Sequence, residues 1–375
     1  MPPSISVILM LGPAGASPAE RWVAGGRQAA LADAVSLAAG LPGMSHLVVA
    51  APRDAWFSPL PHPAVTWDYD PPGEEFHFGR RLSGLLHRHP ADAFIYLGAG
   101  SAPLLPPETL AQAVADVAHS VGRLAVTNNL YSSDWLVANC PTAISDRPER
   151  FVNDNALGWV LKTEAGVEVR TLPVSAATRL DIDTPADLQL LGLHPAVGPT
   201  LSAYLGQQPF APGSWAAAGR RLAAGGGQVA LIGRVASGVW AHVEAHTQAW
   251  IRVFSEERGM TASGRLAAGQ VKSLLGAHLA RLGPTGFFAE LSDLVEAAFF
   301  DTRVLMAAWD GGRLPSAADR YASDLLRPSE VGHARLREFT AAAAAAPIPI
   351  VLGGHGVVAG DLYGLVEIIE SGSLV

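Results

Sequence analysis

Cysteine is nearly absent. Cys140 is the only one in 375 residues, which rules out an intrachain disulfide and any cysteine-cluster metal site and leaves Cys140 as a buried spectator. Lysine is almost as scarce, with Lys162 and Lys272 the only two among 26 basic residues, so a phosphate contact would come from arginine forks. Charged residues make up only 16% of the chain, and its net charge of −8 argues against nonspecific nucleic-acid binding. No apolar run is long and unbroken enough to suggest a membrane span. The most apolar window, residues 341–358, is interrupted by Pro347, Pro349 and the glycines at 353, 354 and 356. The start of the chain has no basic region ahead of its apolar stretch, so no signal peptide is expected and the expected compartment is the cytoplasm. A G-x-S-x-G elbow is also missing, which leaves nucleophilic hydrolysis without support.

Core-forming material is plentiful. Hydrophobic residues make up 49% of the chain, and its length suits two domains. Composition shifts toward Gly, Pro and Ala over residues 195–227, with the clearest punctuation at 209–213. The expected organisation is an α/β domain over 1–195, a linker over 196–227 and a mainly α-helical domain over 228–375. In the first part, residues 6–11, 46–51, 94–97 and 123–127 read as short apolar strands, and 29–39 and 107–119 as helices. Alternation of this kind predicts a mainly parallel sheet whose ligands bind beyond the strand carboxyl ends. No internal repeat is evident.

The most informative segment is Asp181-Ile182-Asp183-Thr184-Pro185-Ala186-Asp187-Leu188. Pro185 pre-sets φ for a first helical turn, Thr184 can cap the exposed amides, and Asp187 complements the positive helix end. Asp181 and Asp183, two apart on an extended strand, point to one face. Such a pair can bind a divalent cation that in turn holds phosphates, or can be an acidic helix cap without metal.

This octapeptide resembles the DIDTPEDL-type segment near the end of the nucleotidyltransferase core in the MobA-like family, which includes 2-phospholactate guanylyltransferases and molybdenum cofactor transferases. The resemblance extends more weakly over about residues 4–195. It implies a three-layer, Rossmann-like (GT-A-like) α/β fold and Mg²⁺-dependent transfer of NMP from an NTP to a small phosphorylated or hydroxylated acceptor. The implied metal ligands are Asp181 and Asp183.

Three strand-end loops carry the comparison further. Residues 12–17, continuing to Gly25-Gly26-Arg27, occupy the position of the family's glycine-rich nucleotide loop. Glycine lets backbone amides approach phosphate. The resemblance puts Gly12, Gly15 and Arg21 at the nucleotide and Arg27 in the catalytic set, where the family has a lysine. The alternative is a flexible surface loop. The second loop, Gly98-Ala99-Gly100-Ser101-Ala102-Pro103-Leu104-Leu105, resembles the family's G-D-x-P-L-L segment, but Ser101 stands at the metal-binding aspartate. A hydroxyl is a much weaker Mg²⁺ ligand than a carboxylate, so the implied chemistry is eroded or strongly altered. The third loop offers Asn128, Asn129, Ser132 and Asp134 beside aromatic residues, a set that suits a base or sugar pocket or an Asn/Ser turn. Asn153-Asp154-Asn155 opens another helix-like segment as caps.

In the second part, residues 239–254, 266–282, 287–300 and 330–346 have helical length or spacing, and 348–352 looks like one short buried segment. Charges sit among apolar neighbours at Glu256, Glu257 and Arg258, at Asp301 and Arg303, and at Asp319, Arg320 and Asp324. They form either an ion-pair network fixing helix packing or a pocket whose arginines hold an anion. Gly353-Gly354-His355-Gly356 adds a titratable ring beside glycines that allow close backbone approach to a ligand. Neither His355 nor His333 sits in an HxH or HExxH spacing, so no zinc site is expected.

Three readings follow. The first is an Mg²⁺-dependent nucleotidyltransferase; the second is a noncatalytic nucleotide or sugar-nucleotide binder or scaffold; the third places binding or catalysis of a small anionic metabolite in the C-terminal domain. A homo-oligomer built on the apolar helices, residues 287–300 among them, is a further option.

Overall fold

The computed structural model describes residues 3–53, 56–57, 59–207 and 213–374. The punctuation expected at 209–213 therefore lies, apart from Gly213, outside the described residues. The chain forms two compact units, each discontinuous in sequence. The first takes residues 1–15, 24–181 and 198–204, and the second takes 16–23, 182–197 and 205–375.

The first unit is built on a seven-stranded sheet. Its strands are β1 (Ile5–Met10), β2 (Met44–Ala51), β3 (Val65–Tyr69), β4 (Ala93–Gly98), β5 (Leu124–Thr127), β6 (Trp135–Ala138) and β7 (Glu168–Thr171), in the order β3-β2-β1-β4-β6-β5-β7. All pairings are parallel except those of β6, which runs antiparallel to β4 and β5. The strands read as continuous apolar runs because both faces are covered. Val7, Leu9, Val49 and Ile95 pack under the helices Pro18–Ala39 and Pro107–His119, while Ile8, Val48, Phe94 and Tyr96 face Phe78–Arg88 and Leu157–Thr163 on the other side. The three layers expected from the resemblance are present.

The second unit is helical by most of its residues, but a four-stranded parallel sheet runs through it. The strands are β8 (Gln228–Gly233), β9 (Trp250–Ser255), β10 (Ala297–Asp301) and β11 (Ile350–Gly353), in the order β11-β10-β8-β9. Two stretches read as single helices are each a helix followed by a strand: Ser237–His246 leads to β9, and Leu274–Leu294 leads to β10. The Leu274–Leu294 helix is itself broken where Gly283 adopts φ 69° ahead of Pro284. Phe287, Phe288, Phe299 and Phe300 are buried in this unit's own core, so they supply no face for a twin. No helix among the described residues is long and apolar enough to cross a membrane.

Candidate functional site

In the first sheet the chain steps outward from β1 through β2 to β3, then returns to β4 on the other side of β1. That reversal opens a crevice at the carboxyl ends of β1 and β4, where ligands of open α/β sheets bind. The Ala99 amide donates to the Met10 carbonyl at 2.8 Å, tying the two strand ends together.

Ser101 and Asp181, eighty positions apart in the chain, form an antiparallel bridge beside this crevice. The Ala102 amide donates to Asp181 Oδ1 at 3.2 Å, and Ala102 itself holds the left-handed conformation, φ 49°. At Gly98 a Cβ would fall 2.7 Å from Ser101 Oγ, so a larger residue would displace that hydroxyl. At the end of β4 the buried Tyr96 hydroxyl donates to Asp154 Oδ2 at 3.0 Å. Burial first, then the charges of Asp154, Asp134 and Asp181, push its pKa well up. One carboxylate therefore touches this hydroxyl, and the charges of two more from separate segments act on it. Sequence reasoning missed two members: Asp154 was read as a cap, and Tyr96 was hidden inside an apolar strand.

The loop after β5 is braced from within. Asn128 Nδ2 donates to Asp134 Oδ2 at 2.6 Å and to the Thr178 carbonyl at 3.3 Å, while its Oδ1 accepts from Thr127 Oγ1 and the Asp134 amide. Both N–H groups are engaged and Oδ1 takes the Asp134 amide, so Asn128 braces Asp134. Asn129 Oδ1 accepts from the Tyr131 amide, and Ser132 Oγ donates to Asn155 Oδ1 at 2.8 Å. On this frame Tyr131 and Trp159 stack, their ring centroids 5.4 Å apart, and both are exposed.

The glycine-rich loop is shorter than the sequence suggests. Helix Pro18–Ala39 takes in Gly25, Gly26 and Arg27, so these belong to its interior. Arg27 lies nine residues in, about 13 Å along the axis. Gly25 serves packing: a Cβ there would sit 2.3 Å from the Tyr204 hydroxyl. The remaining loop keeps Gly12, with open space around it, and Gly15 at φ 79°. The helix start is self-capped, because Glu20 Oε2 accepts from the Ser17 amide at 2.9 Å and the Ala16 amide at 3.3 Å. Burial works against the Glu20 charge, but the hydrogen bonds from Ser17 and Ala16 outweigh it and hold its pKa down. Arg21 is exposed on the first turn of the helix.

In the second unit, Asp183 follows as an exposed residue. Its carbonyl accepts from the Tyr321 hydroxyl at 2.7 Å. Thr184 and Asp187 form the capping box of helix Pro185–Leu191, and Asp187 Oδ2 accepts from the amides of Asp183 and Thr184 at 2.7 and 2.6 Å. Asp187 is buried and hydrogen-bonded to Asp361; burial first, and the Asp183 charge second, raise it to about 6. The glycines around His355 pack against this turn. A Cβ on Gly353 would lie 3.0 Å from Ala186 Cβ, one on Gly354 3.0 Å from Thr184 Cγ2, and one on Gly356 2.8 Å from Asp187 Oδ1. They serve close packing rather than approach to a ligand.

The charged groups expected to form one pocket separate into several roles. Glu256 caps helix Leu274–Leu294, accepting from the amides of Leu274 and Leu275 and from Ser273 Oγ. Glu257 binds Arg265 and the Lys272 amide, and Asp319 accepts from the amides of Gly332 and His333. Arg303 and Asp324 form a buried bidentate pair at 2.9 and 2.6 Å. Arg320 donates to the Pro315 carbonyl, and burial, followed by the charge of nearby Arg303, lowers its pKa. At the carboxyl end of the sheet, Asp301 holds Arg234 through the Nε–Nη2 edge of its guanidinium, and His355 Nε2 lies 3.2 Å from the Arg234 carbonyl. Arg234 was not foreseen; the glycine before it was the available signal.

Among the described residues, no group of three or more His, Cys, Asp or Glu side chains is close enough to form a ready-made metal site. No family model matches the chain, and no curated protein does either. Several solved structures are similar over about half of it. A candidate nucleotide-diphospho-sugar transferase from Desulfovibrio desulfuricans G20 is 16% identical over 54% of this chain and 97% of its own, with a TM-score of 0.39. A cytidylyltransferase from Leptospira borgpetersenii serovar Hardjo-bovis is 11% identical over 51% and 85%, with a TM-score of 0.36. A protein of Mycobacterium tuberculosis H37Rv is 15% identical over 50% and 96%, with a TM-score of 0.35.

Proposed function

We propose that the first unit binds a nucleoside triphosphate at the β1/β4 crevice and transfers its nucleotidyl group to a small phosphorylated or hydroxylated acceptor. The observation that carries this reading is the seating of Asp181 against Ser101 after β4, with Asp154 hydrogen-bonded to the Tyr96 hydroxyl and the charge of Asp134 felt there. Mg²⁺ is held by one or two carboxylates together with substrate phosphates rather than by an all-protein cage. Asp181, seated beside the crevice, fits that demand. Asp181 is the leading ligand, with Asp134 as a further candidate.

When bound, Mg²⁺ would neutralise phosphate charge. The chain's own part is positioning. The open backbone at Gly12 and Gly15 lets amides approach phosphate, and the exposed Tyr131–Trp159 stack offers a face to a planar or sugar ring. The acceptor oxygen attacks the α-phosphorus, the α–β anhydride bond breaks, and pyrophosphate leaves.

A second reading, nucleotide binding without transfer, is favoured by two observations. Ser101 supplies a hydroxyl where a carboxylate would grip metal, and Asn128 already occupies one oxygen of Asp134. Calorimetry with ATP, GTP, CTP and UTP, with and without Mg²⁺, on wild type and Asp181→Ala, tests both readings. Metal-dependent binding lost in the variant, with pyrophosphate released on adding acceptor, supports transfer. Binding without pyrophosphate release supports the second reading, and no binding by wild type overturns both.

A further inference from the structure

Helix Ser237–His246 of the second unit packs against strand β9, which it precedes, and against the last helix, Gly360–Glu370. The side chains that meet at the joint with the last helix are titratable. His242 and His246, one turn apart, have their ring centroids 4.3 Å from each other, and His242 also lies 4.4 Å from the ring of Tyr363.

The last helix brings two acids to the joint, and each already has a histidine. Glu370 Oε1 lies 2.8 Å from His246 Nδ1. Glu367 Oε2 lies 3.3 Å from His194 Nε2, and because the Ala196 amide donates to His194 Nδ1, it is Nε2 that carries the hydrogen facing this acid. His242 is the exception: it is half-buried, and its enclosed Nε2 makes no hydrogen bond. A bare lone pair there is tolerable, but a proton would convert it into a charged donor without an acceptor. Burial first, and the charge of His246 second, lower the His242 pKa against the pull of Glu370 and Glu367. These three residues are the charged groups that act on the ring.

We propose that His242 is a proton-operated latch between these two helices. Neutral, it stays packed against His246 and Tyr363 and holds helix Ser237–His246 to the last helix. Protonated, it turns out of the joint toward an acceptor, and that helix and β9 loosen together. The closed form therefore binds fewer protons than the open one. Its advantage is complete above the ordinary histidine value of 6.5 and falls away as pH drops below it. The latch is independent of nucleotidyl transfer in the first unit.

The test is amide hydrogen exchange of the full chain at pH 5.5 and 7.5, read by mass spectrometry and corrected for the intrinsic effect of pH. In wild type, peptides within residues 237–255 should exchange about tenfold faster at pH 5.5, the cost of one enclosed donor left without an acceptor, while β10 keeps its protection. His242→Phe keeps a ring against His246 and Tyr363 but has no nitrogen to protonate, and its protection should be the same at both pH values. His242→Gln, which is uncharged throughout, should behave likewise. Equal protection of residues 237–255 at both pH values in wild type overturns the proposal. So does a loss that both variants share, which would assign the titration to another group, or a loss that extends to β10, which would make the opening global.

Discussion

Asp187 and Asp361 are hydrogen-bonded to each other in the interior of the second unit, with Gly356 packed against both carboxylates. Two buried carboxyl groups in contact share a proton more readily than they both ionise. Burial first, and the Asp183 charge second, raise Asp187 from its ordinary 3.8 to about 6, against the hydrogen bond from Asp361. A raised pKa in the folded state means that the folded chain binds more protons than the unfolded chain between these values. The stabilisation is complete below about pH 4 and is lost as pH rises through about 6, amounting to at most about 3 kcal/mol. Asp187→Asn keeps an acceptor for the two amides and removes the titration. Urea unfolding at pH 4.5 and 7.5 should therefore show a steeper loss in wild type than in the variant; parallel behaviour would discard the shared proton.

The buried Arg303–Asp324 pair gives a second prediction. Both side chains are almost wholly enclosed, at 8% and 0% exposure. Arg303→Met strands the aspartate and should cost about 3–5 kcal/mol, whereas Arg303→Met with Asp324→Leu should recover most of it. Equal losses in the single and double variants would mean that the pair is not what the site depends on.

Ser101→Asp adds a carboxylate beside Asp181. Like-charge repulsion should lower the melting temperature without metal, while Mg²⁺-dependent nucleotide binding tightens about tenfold. Calorimetry reads the affinity and scanning calorimetry the stability. A variant that loses stability and gains no affinity would argue that Asp181 does not face a metal.

Glu20→Ala removes the acid that caps the Pro18–Ala39 helix and should cost about 1 kcal/mol in chemical denaturation. An unchanged unfolding midpoint would show that Glu20 does not stabilise this helix start.

Strands covered on both faces were the easiest to read. β1, β2, β4 and β5 stand out because each is a continuous apolar run ending in a turn signal. β3 is a partly exposed edge strand, Val65–Tyr69, with no such run. β9 and β10 were absorbed into helical stretches because a short apolar segment following an apolar helix leaves no change of period to detect. The site divides in the same way. Asp181 and Ser101 were legible through their local motifs, but the partnerships of Tyr96 with Asp154 and of Arg234 with Asp301 span 58 and 67 positions. Those pairings exist only once the sheets have brought strand ends together.

Helix Pro185–Leu191 belongs to a unit most of which comes later in the chain. Leu188, Leu190 and Leu191 are buried there, and Asp187 waits for Asp361. During synthesis on a ribosome, the Asp187 turn emerges on the order of 170 residues before its partner, a delay of roughly 10–35 s at ordinary elongation rates. For that interval three leucines and a carboxylate have no permanent place, and an early-folding first unit would carry them as an open end. The nascent chain should therefore engage chaperones most strongly between the emergence of residue 191 and that of the β11 strand.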